Sequence, residues 1–92
     1  MIIKIRHRGL RLFYETGTTR GLHPDWIPRI KRIMTMLDAA REPEGMDLPG
    51  FNLHPLKGDY KGYWAVKVTG NWRIVWYFDG ANATDVDLID YH

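Results

Sequence analysis

Ninety-two residues, 45% hydrophobic and 26% charged, make one small folded domain, too short for a second core or a separate cofactor domain. The absence of Cys excludes disulfides, thiolate nucleophiles and Cys-based zinc sites, and it suits a reducing compartment, so the cytoplasm is expected. The formal charge of +2 is unevenly spread: residues 1–34 carry eight Lys or Arg against two acids, and residues 35–92 carry five against nine.

A basic first half suits a phosphate backbone or an acidic partner, and equally a solvated helix face. No stretch is apolar enough for a signal peptide or a membrane span. Ile2, Ile3 and Ile5 read as a short opening strand. Gly9 to Glu15 reads as a short helix ending near Gly17, and Gly21 closes that unit. His23-Pro24-Asp25 begins a longer helix whose apolar stripe is Trp26, Ile30, Ile33, Met34 and Leu37. Arg29, Lys31 and Arg32 lie off that stripe, and Pro43 is expected to stop the helix.

Glu44 to Gly50 resembles a linker, and Phe51 to Asp59 a loop. Tyr63 to Thr69 and Trp72 to Phe78 alternate as strands, joined by a tight Gly70-Asn71 turn. Thr84 to Ile89 is a final strand that delivers Asp90, Tyr91 and His92. The predicted order is one strand, two helices and three strands in a single domain spanning residues 1–92. Because both faces of the Tyr63 to Phe78 hairpin carry large apolar groups, two helices on one face leave the other needing cover or a ligand.

Three clusters could carry chemistry. His54-Pro55-Leu56-Lys57 sets an imidazole and an ammonium three residues apart in a segment that Pro55 keeps from being helical. Arg73, just beyond the hairpin turn, could offer its planar fork to phosphate oxygens. His92 carries its own main-chain carboxylate beside its imidazole, a setting that favours the imidazolium. Each also has an ordinary structural use: a hydrogen-bonded loop histidine beside a solvated lysine, a cation packed over Trp64 or Tyr77, and a frayed terminus. Imidazole, fixed cations and a phenol together form a kit for phosphodiester chemistry without a metal. Neither a His-x-x-x-His pair nor carboxylates at ligand spacing point to metal binding. His7 and His23 read as ordinary surface residues.

The order of these clusters resembles the HigB group of toxins, the plasmid-maintenance killer proteins of the RelE superfamily. The likeness rests on Ile5-Arg6-His7-Arg8-Gly9-Leu10, Leu53-His54-Pro55-Leu56-Lys57-Gly58, Gly62-Tyr63-Trp64, Asn71-Trp72-Arg73-Ile74 and Asp90-Tyr91-His92, and it spans essentially the whole chain. It implies an α+β fold of RelE-like, microbial-ribonuclease-like type: an N-terminal strand, two helices, then a mainly antiparallel sheet of three strands with the active site at its C-terminal end. It further implies a type II toxin that cleaves messenger RNA in the A site of the small ribosomal subunit, with no metal and no cofactor. The 2′-hydroxyl would attack the adjacent phosphate to give a 2′,3′-cyclic phosphate.

On this resemblance one of His54 and His92 is base and the other acid, Lys57 and Arg73 hold the phosphate, Tyr91 orients the base or stacks on a nucleobase, and Asp90 supports it. Lys67, Thr69 and Asn71 are the expected RNA contacts. Relatives often carry a basic residue where this chain has Thr69; Lys67, two residues and roughly 7 Å away along what is expected to be the same strand face, could replace it. The implied partner is a HigA-type helix-turn-helix antitoxin, through which alone operator DNA would be reached. Thr69 also leaves room for a different protein, a catalytically weakened toxin fold kept as an antitoxin-bound corepressor. A ribosome-independent ribonuclease is a third possibility.

Overall fold

The computed structural model describes residues 1–91. Helix α1 spans Arg8–Thr16 and helix α2 spans Ile27–Ala39. Strands β1 (His54–Pro55), β2 (Trp64–Thr69), β3 (Trp72–Asp79) and β4 (Asn82–Asp90) follow. They form one antiparallel sheet in the order β1-β2-β3-β4. The α+β architecture expected from the sequence is present, but the sheet has four strands, β1 being the addition. The expected opening strand is reduced to two isolated bridges, because only Ile2 and Ile5 pair with β4.

Helix α1 starts where His7 turns its Nδ1 back to accept the Leu10 amide at 3.2 Å, and it ends at left-handed Gly17, whose amide reaches the Phe13 carbonyl at 2.9 Å. His7 is therefore a helix cap. His23 likewise accepts the Asp25 amide through Nδ1 and stacks on Trp26 with centroids 5.0 Å apart, so it too is a built part of the fold. Both had read as plain surface residues.

The segment that His23 opens begins as a tight helical turn, Pro24–Trp26, before α2 proper. Ile30, Ile33, Met34 and Leu37 then bury one stripe of α2, as their spacing requires. The helix ends at Ala39, short of Pro43, because Ala40 is already extended. Pro43 instead opens another tight turn, Pro43–Met46. The presumed linker is thus part of the core: Met46 is fully buried.

The opening isoleucines lie parallel to β4, bridging Ile2 to Ala83 and Ile5 to Val86. Four main-chain bonds hold them: Ile3 N–H to Ala83 O, Ala83 N–H to Met1 O, Arg6 N–H to Val86 O and Val86 N–H to Lys4 O. Asp38 on α2 accepts the Ile2 amide at 2.9 Å and the Tyr14 hydroxyl at 2.8 Å, joining this segment to both helices. Where Gly21 passes the start of α1, a Cβ on Gly9 would stand 2.5 Å from the Gly21 carbonyl oxygen. Only glycine permits that approach.

The sheet has two occupied faces. On one, Val66, Val68, Ile74, Trp76, Val86 and Leu88 meet the buried residues of both helices. On the other, Leu56, Ala65 and Val75 form a smaller cluster beneath Tyr60, Tyr63, Ile89 and Tyr91. The second face therefore finds its cover within the chain, in the loop that follows β1. Among the described residues no helix is long and apolar enough to cross a membrane.

Candidate active site

Residues directly opposite one another in an antiparallel sheet present side chains to the same face. One row across this sheet reads His54, Ala65, Val75, Asp87; the next reads Lys67, Arg73, Ile89. Ala65 and Lys67 are two residues apart on β2, so both rows face the same way, over the Leu56 cluster and away from the helices. Strand pairing thus brings His54, Lys67 and Arg73 to one surface from three strands.

Tyr91 completes that surface. Its amide donates to the Asn71 carbonyl at 2.9 Å, extending the β3–β4 ladder to the hairpin turn, and its ring packs on the Leu56 cluster. Tyr60 stands edge-on between Tyr91, at 6.4 Å, and Tyr63, at 5.3 Å, and Tyr63 in turn meets Tyr77 at 5.2 Å. A file of four tyrosines runs across the face.

Arg73 is half-buried, and one arm of its guanidinium folds back on the turn: Nη1 donates to the Gly70 carbonyl at 2.7 Å and to that of Trp72 at 3.1 Å. The anchored arm fixes the plane of the fork. His54 is half-buried on β1, and its Nδ1 lies 2.9 Å from the Asn52 carbonyl oxygen. A carbonyl only accepts, so Nδ1 carries the proton and neutral His54 presents an unprotonated Nε2. Lys57 is exposed in the turn leaving β1, where its carbonyl accepts the Tyr60 amide at 3.3 Å.

Two residues expected at the site, Thr69 and Asp90, are out of register with the rows that carry His54, Lys67 and Arg73. The register slips by one between Lys67, opposite Arg73, and Thr69, opposite Trp72, because Val68 bulges into the core. Thr69 is thereby aligned with the helix-side row, and Lys67 does not share its face as simple alternation had suggested. Asp90 is also opposite Trp72, one residue out of phase with Ile89 and Tyr91 on either side. His92 lies outside the described residues.

Other residues join the site without a clear mark in the sequence. Arg29, off the apolar stripe of α2, donates through Nε to the Lys67 carbonyl at 2.9 Å and through Nη2 to the Gly50 carbonyl, while its guanidinium carbon stands 5.7 Å from the Phe51 ring centre. It closes the edge of β2 where two-residue β1 has run out. Asp85 occupies a left-handed bulge in β4, φ 53°, with its carboxylate 3.6 Å from Lys4 Nζ and 3.4 Å from the Tyr63 hydroxyl. Burial first and the Asp85 charge second raise the Tyr63 phenol above its ordinary 10.0, against the opposing pull of Arg6. Tyr63 stays protonated at neutral pH.

The face can therefore accept a proton at His54, hold an anion against Arg73 and Lys67, and offer phenol groups along one side. Comparison with known proteins finds relatives along the whole chain. A family model described as the RelE-like toxin of type II toxin-antitoxin system HigB matches residues 3–92. Endoribonuclease HigB of Proteus vulgaris is 38% identical over 92 residues, covering all of both chains. A crystal structure of a YafQ mutant from E. coli shares the fold, with a TM-score of 0.60 and 20% identity over 91% of this chain and 84% of that one.

Proposed function

The chain belongs to the HigB-like family of RelE-like toxins of type II toxin-antitoxin systems, and on that premise we propose that it is an endoribonuclease that cuts messenger RNA on the ribosome. The observation that carries this reading is the convergence of His54, Lys67, Arg73 and Tyr91 on one sheet face. Nε2 of His54 takes the proton of a ribose 2′-hydroxyl. The freed oxygen attacks the adjacent phosphorus, the bond from phosphorus to the 5′-oxygen breaks, and that oxygen is protonated by an acid. The products are a 2′,3′-cyclic phosphate and a 5′-hydroxyl, and no water enters this step.

Arg73 and Lys67 stabilise the charge that builds on the phosphoryl oxygens, with Lys57 joining from the loop as substrate binds. The hydrogen bond on Nδ1 supports His54 as the base, which leaves His92 as the expected acid. Tyr91 offers its ring to a nucleobase. In the cell the protein works in the cytoplasm, where a HigA-type antitoxin holds it and carries it to operator DNA until it is released to the ribosomal A site.

Brief induction without antitoxin, followed by mapping of RNA 5′ ends, tests this function. Wild type is expected to cut inside translated reading frames, and Arg73→Ala or His54→Ala to cut on the order of a hundredfold less. Cuts that ignore reading frames would remove the ribosome from the scheme. A wild-type chain that leaves RNA intact would indicate the corepressor instead.

A further inference from the structure

We infer that Asn52 is a positioning residue: its left-handed backbone aims a carbonyl at Nδ1 of His54 and so fixes which ring nitrogen is free to take a proton. The inference rests on His54 being the base and adds what makes it one. Asn52 has φ 52°, a conformation that strains most side chains and that Asn adopts more readily than others.

The turn is imposed from both sides. Phe51 is fully buried, its carbonyl accepts the Lys67 amide at 2.8 Å, and Arg29 ties down the Gly50 carbonyl just before it. After the turn, His54 is locked in register with Ala65. Only Asn52 and Leu53 join these fixed ends, and Leu53 is itself packed on the core. The reversal falls on Asn52, and it points the carbonyl at the imidazole 2.9 Å away. Because the acceptor is main chain on a clamped loop, it neither titrates nor rotates away. The same bond persists when Nε2 becomes protonated, so the ring keeps its orientation through proton transfer.

The test separates backbone geometry from side-chain chemistry. Asn52→Gly keeps access to positive φ, whereas Asn52→Val penalises it. Long-range proton–nitrogen NMR of the full chain, at a pH where His54 is neutral, reads the tautomer directly. Wild type and Asn52→Gly should show the proton on Nδ1, and Asn52→Val should move a substantial share to Nε2. In cleavage of messenger on programmed ribosomes, Asn52→Val should lose about tenfold or more in kcat with KM little changed, and Asn52→Gly should stay near wild type. A wild-type His54 with its proton mainly on Nε2, or an Asn52→Val tautomer equal to wild type, overturns the inference. If the tautomers behave as expected but His54→Ala still cuts at the wild-type rate, the positioning stands and the base assignment under it falls.

Discussion

Replacing Arg29 by methionine should damage both stability and cleavage, although the residue lies on a helix off its apolar stripe. The substitution keeps an apolar stem but deletes the donors to the Lys67 and Gly50 carbonyls and the cation beside Phe51. The bond to Lys67 is partly buried and charge-assisted, worth about 1.5–2 kcal/mol. The bond to Gly50 is exposed, and with the ring contact it adds roughly 1 kcal/mol. A loss of about 2.5–3 kcal/mol corresponds to a fall in Tm of at least about 10 °C for a domain this size. Arg32→Met is the control: Arg32 stands 5.4 Å from the same ring centre but donates to neither carbonyl, so its loss should stay below about 1 kcal/mol. Urea unfolding of both variants measures the difference. Cleavage assayed under conditions where each is fully folded measures the second effect, because the loop that Arg29 clamps carries Asn52 and His54. If Arg29→Met is no less stable than Arg32→Met, the clamp argument fails, and with it the claim that the loop is preorganised.

Two further outcomes follow from contacts away from the site. Gly9→Ala should destabilise by about 1–3 kcal/mol in urea unfolding, since its methyl would meet the Gly21 carbonyl oxygen at 2.5 Å and backbone must move; a neutral result would mean that the Gly9–Gly21 approach is not tight in solution. The Asp38 carboxyl is held below its ordinary 3.8, chiefly by the Ile2 amide and then by the Tyr14 hydroxyl and the N-terminal charge, against the opposing effect of burial. A lowered folded-state pKa means stability that is present above 3.8 and lost as pH falls through the folded value. Asp38→Asn should therefore flatten the acid limb of a urea-midpoint profile below about pH 4, and a limb unchanged in the variant would assign the acid sensitivity elsewhere.

What was legible in the sequence was periodic or locally capped. The α2 stripe, the stop of α1 at Gly17 and the Gly70-Asn71 hairpin each follow from a few adjacent residues, and all are present. What escaped was decided by distant partners. Two residues of β1 are too few to show alternation, and they form a strand because β2 offers them an edge. The opening isoleucines were legible as extended chain, but their parallel alignment beside β4 depends on a strand some 80 residues away. The slip at Val68 shows the limit most clearly: strict alternation put Lys67 and Thr69 on one face, and burial of Val68 in the core moved Thr69 to the other row. The same division runs through the site. His54, Arg73 and Tyr91 were visible as unusual residues in order, whereas Asn52 and Arg29 act through backbone carbonyls, which leave no pattern in the sequence.

The second sheet face explains why the site can be built on so short a chain. Helices cover one face only, and the other must bury Leu56, Ala65 and Val75 without a further layer. Apolar rings alone would do so, but they would leave a greasy patch; tyrosines bury their rings and keep a polar hydroxyl, which in Tyr63 donates to Asp85. Tyr60, Tyr63 and Tyr91 thus satisfy a packing requirement and, by the same placement, line the surface that holds His54, Lys67 and Arg73. Tyr91 joins the two roles most directly, because its main chain extends the sheet at Asn71 while its ring closes the small core. Packing therefore draws Tyr91 onto the face that holds His54, Lys67 and Arg73, so one set of contacts both closes the small core and shapes the candidate site.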